Sequence, residues 1–200
     1  MKRFERFKRE IWNLPNMITI GRVFLIPPVL YLIDKTDPVK CVVASLIFVV
    51  ASLLDAVDGW LARRSGLVTV FGKFVDPLAD KIMVAALLVY LVADGRAPAW
   101  MVVVLLTREF YIAGLRSLAS VEGVVIPASA GGKVKTIIQL VGISFLLLHF
   151  RYRLPGTTFA LDCHLVGLGL VGVSVFASIH SAVAYTLSFG GALSSQRKGG

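Results

Sequence analysis

The sequence is poor in cysteine, histidine and acidic residues. It has 2 cysteines and 3 histidines in 200 residues, and 12 acidic side chains against 21 Lys and Arg. Cys41 and Cys163 have neither metal-ligand spacing nor a disulfide-rich context, so we interpret both as buried packing residues. His149, His164 and His180 lie far along the chain from any carboxylate motif, and we do not expect them to be ligands. This composition excludes a disulfide scaffold and a Cys/His zinc site.

Charged residues are also scarce, at 16% of the chain, whereas hydrophobic residues make up 56%. That share exceeds the ~45–50% of a soluble globular domain, and the mean hydropathy is +0.79. The net charge of +9 does not indicate nucleic-acid binding, because the basic residues are spread between apolar segments and do not form one soluble basic face. We expect the bilayer as solvent, and anionic lipid and phosphate as partners. The sequence shows neither an internal repeat nor a cleavable signal peptide.

Six hydrophobic segments approach the length that a helix needs to cross a hydrocarbon core of ~30 Å. They are Leu14–Ile33, Val39–Leu61, Phe74–Ala93, Ala97–Leu118, Val134–Phe150 and Leu161–Phe189. We therefore predict an all-α integral membrane protein with one six-helix domain over 13–190, a basic segment at 1–12 and a cytoplasmic tail at 191–200. The basic segment is typical of an amphipathic helix lying on an anionic leaflet, or of a solvated tail.

The distribution of Lys and Arg predicts the orientation, because positive side chains are retained on the cytoplasmic side. Of the 21 Lys and Arg residues, 13 lie on one side of the predicted bundle. The other side has Lys35, Lys40, Arg96, Arg151 and Arg153. Both termini are therefore predicted to be cytoplasmic, in a multi-pass protein of the inner membrane. Arg22, Lys81 and Arg108 fall inside predicted spans and need partners there.

Four aspartates lie where the second and third predicted spans meet on the cytoplasmic side. They are Asp55, Asp58, Asp76 and Asp80. The two pairs are spaced i, i+3 and i, i+4, so each pair shares a helix face with Cβ atoms ~5–6 Å apart. Each carboxylate at the centre of a membrane costs ~2.5–3.5 kcal/mol, so a cation must offset it. Clustered carboxylates suit Mg²⁺ or Mn²⁺, and two such ions ~3.5–4 Å apart stabilise both oxygens of a phosphoryl displacement.

The same residues also have a purely structural interpretation. The aspartates would then pair at the interface with Arg63, Arg64, Lys73 and Lys81. Gly59 and Gly72 have no Cβ, so either a flat ligand or a neighbouring helix can approach the backbone closely.

The spacing as a whole narrows these alternatives. It reads Asp55-x2-Asp58-Gly59-x2-Ala62-Arg63-x8-Gly72-x3-Asp76-x3-Asp80. This pattern resembles the full signature of the CDP-alcohol phosphotransferase family. The resemblance implies that Asp55, Asp58 and Asp76 hold the metals and that Asp80 is the general base. We also include Asp80 among the candidate metal ligands. It further implies a nucleotide site formed by Asp55, Asp58, Gly59, Ala62, Arg63 and Gly72.

The first predicted span carries polar side chains on one face. Asn16, Thr19 and Arg22 lie there at helical spacing. They either contact the nucleotide or hold neighbouring helices through polar contacts. We assign Asn16 and Thr19 to the nucleotide site.

Basic residues on the cytoplasmic side are candidates for binding a phosphorylated acceptor. They are Arg108, Arg116, Lys133 and Lys135. Arg can grip phosphate bidentately and Lys supplies a point charge, although such residues also determine topology. Glu109 is an alternative, structural partner for Arg108.

Three further stretches resemble the bacterial branch of the family that makes phosphatidylglycerophosphate. They are 13–22, 107–116 and 124–136. The resemblance implies transfer of a phosphatidyl group from CDP-diacylglycerol to glycerol 3-phosphate, and a homodimer. One rival is a sister enzyme that uses inositol phosphate, serine or another phospholipid as acceptor. A divalent-cation transporter and a non-catalytic lipid-binding scaffold are rivals from other classes.

Overall fold

The computed structural model describes residues 14–65, 70–121, 130–153, 156 and 160–199. Within these residues the chain forms α1 (Leu14–Leu32), α2 (Pro38–Ser65), α3 (Val70–Ala93), α4 (Ala99–Val121), α5 (Ala130–Leu148) and α6 (Cys163–Gly199). The predominantly helical fold is confirmed, and each helix coincides with a predicted hydrophobic segment. The predicted basic helix at 1–12 lies outside the described residues.

A short antiparallel hairpin precedes α6 and was not predicted. Its strands are β1 (Arg151–Arg153) and β2 (Ala160–Asp162), with Arg151 opposite Asp162. The sixth helix therefore begins at Cys163, and Leu161 belongs to a strand. Asp162 explains this boundary, because its Oδ1 accepts a hydrogen bond from the backbone N–H of Leu165 at 3.0 Å, as a helix N-cap does. At its other end α6 continues to Gly199, so most of the expected tail at 191–200 is helical.

The helices pack in a defined order around one core. α1 packs against α2 and α3, α2 against α5, α5 against α6, and α4 against α3 and α6. The core is formed by buried apolar side chains from these helices, among them Phe48, Leu87, Leu91, Leu105, Ile143, Leu146 and Val171. This order brings α3, α4 and α5 together around the candidate site.

A close approach of α5 and α6 involves a glycine on each helix. A Cβ added at Gly167 would lie 2.7 Å from the backbone N of Leu146 and 3.0 Å from the carbonyl O of Gly142. A Cβ added at Gly142 would lie 3.0 Å from the backbone N of Val171. Small residues thus let the two backbones touch. Gly167 is therefore a packing residue of α6.

Arg96 joins the two connections at the end of the bundle opposite the aspartates. Its side chain is fully buried, and its Nη2 donates to the backbone carbonyl of Asp34 at 3.0 Å. Nη1 donates to the carbonyl of Leu147, in the last turn of α5, at 3.0 Å. Nε pairs with Asp94 at 2.5 Å. The guanidinium therefore ties α1, α3 and α5 together and meets the negative end of the α5 dipole.

The two cysteines lie near this end of the bundle. Cys41 and Cys163 are both buried and unbridged, which confirms their interpretation as packing residues. The thiol of Cys41 contacts the carbonyl of Asp34 at 3.0 Å. The same sulfur accepts a hydrogen bond from Arg96 Nη1 at 3.4 Å.

Among the described residues, one stretch is long and apolar enough to cross a membrane by length and composition alone. It is Cys163–Ser194, with a mean hydropathy of 1.8. Four shorter apolar stretches lie in other helices, at Ile20–Leu32, Pro38–Leu54, Lys81–Ala93 and Val134–Leu148. Large apolar side chains also cover the outside of the bundle, including Phe24, Tyr31, Val103, Phe110, Leu165 and Phe176. The bundle is thus apolar on both its inner and its outer surfaces.

Candidate active site

The four aspartates lie on two helices that run to the same end of the bundle. Asp55 and Asp58 lie in the C-terminal part of α2, and Asp76 and Asp80 in the N-terminal part of α3. Their backbone is helical, so each pair shares a helix face, as the spacing predicted. Their side chains lie outside the described set.

Asp55 and Asp76 lie at a similar depth along the bundle. The connections 33–37 and 94–98 meet through the hydrogen bond from Arg96 to Asp34. At ~1.5 Å of rise per residue, Asp55 and Asp76 are each about 26 Å along their helices from these connections. The remaining signature residues follow on the same two helices, with Gly59, Ala62 and Arg63 in α2 and Gly72 in α3.

Asn16 and Thr19 lie near the start of α1, which packs against both α2 and α3. Asn16 is about 24 Å along α1 from the connection to α2, close to the depth of Asp55. The helix order therefore brings this part of α1 beside the helices that carry the aspartates.

A cluster of charged side chains joins α4, α5 and α6. Glu109 Oε1 accepts from Arg108 Nη1 at 2.9 Å and from Lys135 Nζ at 2.5 Å. Arg108 Nη2 donates to Ser181 Oγ on α6 at 3.0 Å. Lys135 is 1% exposed and Arg108 is 13% exposed, whereas Glu109 is 30% exposed. Two of the predicted acceptor-site residues are thus brought together, with the alternative partner Glu109 between them.

A cleft of about 110 Å³ opens between α3, α4 and α5 beside this cluster. Its polar lining comes from Lys81, Glu109, Thr136 and Gln139, and its apolar lining includes Leu105 and Phe110. Lys81 interacts electrostatically with Glu109 and Lys135, and it directly follows Asp80 in α3. The cleft therefore adjoins the aspartate segment.

The charges around the cleft favour an anion. Three cationic side chains, Lys81, Arg108 and Lys135, surround the single carboxylate of Glu109 among the described side chains. In their ordinary charge states these four side chains sum to about +2. A partly apolar wall strengthens such interactions, because it excludes water. A small phosphorylated molecule suits this environment better than a cation does.

Arg116 lies apart from this cluster. Arg116 lies on α4 about 12 Å beyond Arg108, and its guanidinium carbon is 5.7 Å from the ring centroid of Tyr185 on α6. That distance is within the ~6 Å of a cation–π contact. Lys133 lies in the first turn of α5, and its side chain is outside the described set.

Sequence reasoning assigned Lys81 and Glu109 no part in acceptor binding and did not single out Ser181, Thr136 or Gln139. The sequence could have indicated a role for Lys81 and Glu109, because a charged residue inside an apolar segment requires a partner. Nothing in the sequence indicates a role for Ser181, since its contact with Arg108 depends on the packing of α6 against α4. Local sequence does not encode that contact.

Among the described side chains, no group of three His, Cys, Asp or Glu is arranged to hold a metal ion. The side chains of the four aspartates lie outside the described ones, so this absence does not apply to them. As donors they fit Mg²⁺ or Mn²⁺, since hard divalent cations prefer carboxylate oxygens.

Helix-borne carboxylates of this kind, next to a cationic cleft, are suited to an enzyme that transfers a phosphate-linked group. The sequence model of the CDP-alcohol phosphatidyltransferase family matches residues 12–184. This chain belongs to that family, which confirms the resemblance of the aspartate signature.

Its curated relatives include a CDP-diacylglycerol–glycerol-3-phosphate 3-phosphatidyltransferase of Bacillus subtilis (strain 168). That protein is 44% identical over 151 residues, which cover 70% of this chain and 78% of the relative. A protein of the same name from Rickettsia bellii is 34% identical over 173 residues, covering 86% and 93%. A probable phosphatidylglycerophosphate synthase of Mycobacterium tuberculosis (strain H37Rv) is 41% identical over 144 residues, covering 70% and 68%.

Proposed function

We propose that this chain transfers the phosphatidyl group of CDP-diacylglycerol to glycerol 3-phosphate, forming phosphatidylglycerophosphate and releasing CMP. The observation that carries the choice of acceptor is the cluster of Lys81, Arg108 and Lys135 around one carboxylate, beside a cleft next to the aspartate segment. A phosphorylated acceptor needs such cations, whereas serine does not. The names of the three relatives support the same acceptor.

In this proposal the nucleotide binds along α1, α2 and α3. Close backbone approach at Gly59 and Gly72, with the small Ala62, leaves room for the cytidine diphosphate, and Arg63 pairs with its charge. Asn16 and Thr19 donate polar contacts from α1. When bound, Mg²⁺ or Mn²⁺, as two ions, would neutralise charge on the diphosphate and on the leaving CMP. Asp55, Asp58, Asp76 and Asp80 would hold them.

Asp80 has the second role of general base. Its carboxylate accepts the proton of the acceptor hydroxyl as that oxygen bonds to the phosphorus that carries diacylglycerol. The bond from this phosphorus to the bridging oxygen of CMP breaks, and CMP leaves with that oxygen. Arg108, Arg116, Lys133 and Lys135 supply positive charge for the acceptor phosphate. The chain thereby brings two anionic substrates together.

We further propose that all six helices cross the inner membrane, with both termini and the site at the cytoplasmic face, and that the protein is a homodimer. The apolar outer surface of the bundle supports a lipid environment, since large exposed apolar areas are rare on soluble monomers. The excess of Lys and Arg at the aspartate end supports the orientation. The basic segment at 1–12 would then lie on the anionic leaflet.

Purified protein with CDP-diacylglycerol and Mg²⁺ tests the function directly. CMP release is measured with glycerol 3-phosphate, inositol phosphate or serine as acceptor. We expect glycerol 3-phosphate to be used, and CMP release with serine or inositol phosphate alone would overturn the choice of acceptor. Metal flux into sealed vesicles without CMP formation would instead indicate a transporter.

The role of Asp80 is tested by Asp80→Asn, with Asp162→Asn in the distant hairpin as the matched control. Loss of a general base lowers kcat by ~10²–10⁴-fold. We therefore expect Asp80→Asn to lower kcat by that factor, whereas the control variant should keep its activity. Full activity of Asp80→Asn would favour the lipid-binding scaffold. Removal of divalent metal with EDTA should abolish activity, and added Mg²⁺ or Mn²⁺ should restore it.

A further inference from the structure

Glu109 is the only carboxylate among the described side chains that line the cleft, which makes it an unexpected neighbour for a phosphorylated substrate. Its repulsion of an anion would weaken binding unless the side chain performs another task. The contacts of Glu109 indicate what that task is.

One oxygen of Glu109 holds two cations from different helices. Oε1 accepts from Arg108 Nη1 on α4 at 2.9 Å and from Lys135 Nζ on α5 at 2.5 Å. Since Arg108 Nη2 also donates to Ser181 on α6 at 3.0 Å, the carboxylate connects three helices through charged side chains. Both cations are thereby fixed in direction as well as in position.

Without a carboxylate between them, Arg108 and Lys135 would repel each other and Lys135 would be a buried, uncompensated charge. Long cationic side chains also have many rotamers, and ordering them only when a substrate binds weakens affinity. A carboxylate that keeps both cations beside the cleft removes these two costs before the acceptor arrives. Arg108 and Lys135 together outweigh the single carboxylate, and Lys81 adds a third positive charge, so the net charge beside the cleft stays positive.

We infer that Glu109 is a positioning residue for the acceptor: it holds Arg108 and Lys135 in place beside the cleft so that their charge meets the acceptor phosphate. Glu109 lines the cleft, and Arg108 and Lys135 lie next to its lining residues, so their charge acts on the phosphate from beside the cleft. Glu109 exchanges no proton with the phosphate. The inference rests on the proposed function, since it assumes a phosphorylated acceptor.

The test uses the full chain in detergent with Mg²⁺ and compares Glu109→Gln, Glu109→Asp and the control Asp162→Asn. Asp162 also accepts from an arginine, Arg151 Nε at 2.7 Å, but in the hairpin away from the cleft. The kinetic constants are measured separately for glycerol 3-phosphate and for CDP-diacylglycerol, and thermal unfolding is followed for each variant.

We expect Glu109→Gln to raise KM for glycerol 3-phosphate by about ten-fold or more, the size of losing one hydrogen bond between charged groups. The kcat and the KM for CDP-diacylglycerol should change by less than about two-fold, because only the ground-state binding of the acceptor is affected. Glu109→Asp keeps the charge and should recover part of the acceptor affinity. Adding Lys135→Met to Glu109→Gln should raise KM less than Lys135→Met does in the wild type, because the two residues act together.

Three results would overturn this inference. The first is a lower acceptor KM in Glu109→Gln, which would mean that the carboxylate competes with the phosphate. The second is an unchanged acceptor KM. The third is equal damage to the kinetics of both substrates with no recovery in Glu109→Asp, which would indicate a general structural role. Wild-type protein that is inert with glycerol 3-phosphate would overturn the proposed function as well, and the wild-type control separates that outcome from the other three.

Discussion

Arg96 makes the most extensive set of contacts in the connections at the end opposite the aspartates. We predict that Arg96→Met destabilises the protein by ~3–5 kcal/mol, because removing one partner of a buried charged network leaves the others unsatisfied. The carbonyls of Asp34 and Leu147 would each lose a donor. Thermal unfolding in detergent checks this, with Arg153→Met in the exposed hairpin as the matched control. A melting temperature equal to that of the control would contradict the prediction.

Asp34 makes stability depend on pH at the same end of the bundle. Hydrogen bonds from the side chain and backbone of Thr36 and from Lys40 hold the pKa of its carboxyl well below the ordinary 3.8. A lowered pKa stabilises the folded state above pH 3.8, and the contribution is lost as the pH falls below that value. We therefore expect wild type to be more stable than Asp34→Asn at pH 7. The difference should shrink below about pH 4, which unfolding measurements across pH 2–7 would show. A difference that is constant over this range would contradict the assignment.

Two helices, α5 and α6, depend on a glycine pair for their close packing. Gly167→Ala places a methyl group 2.7 Å from the backbone N of Leu146 and must push the helices apart. We predict a loss of ~1–3 kcal/mol, the usual size for overpacking. Gly169 is the matched control, because a Cβ there meets nothing within 4 Å. Gly169→Ala should be neutral or stabilise α6 slightly, since Ala favours helix by ~1 kcal/mol over Gly. Equal melting temperatures for the two variants would contradict the tight crossing.

The molecule as a whole has an orientation that cysteine labelling can test. Arg153 in the hairpin and Ser194 near the end of α6 are separated by most of a 37-residue helix, about 55 Å long, which exceeds a hydrocarbon core of ~30 Å. In a variant with Cys41 and Cys163 replaced by Ala, we expect a membrane-impermeant reagent to label Arg153→Cys from the non-cytoplasmic side. Ser194→Cys should be labelled only after the membrane is opened. Labelling of both from one side would contradict the proposed topology.

Much of this fold followed from the sequence, because the hydrophobic segments are long and their interruptions are short. Each of the six helices coincides with a predicted segment, although α6 continues ten residues further than predicted, to Gly199. The pairing of β1 with β2 was missed, since three-residue strands leave little periodic signal. Arg96 was predicted only as a topology charge, although it is fully buried. Its partners come from three different segments, and only folding brings them together.

The sequence by itself determined the aspartate spacing, the small residues beside it and hence the family, because helical periodicity converts i, i+3 and i, i+4 spacing directly into a shared face. It also placed basic residues near one end of the predicted bundle. Only the tertiary structure decided which of them meet: Arg108 and Lys135 share Glu109, whereas Arg116 lies on Tyr185. That difference depends on which helices pack against α4. Helix packing is set by the fit of whole surfaces, which no local pattern contains.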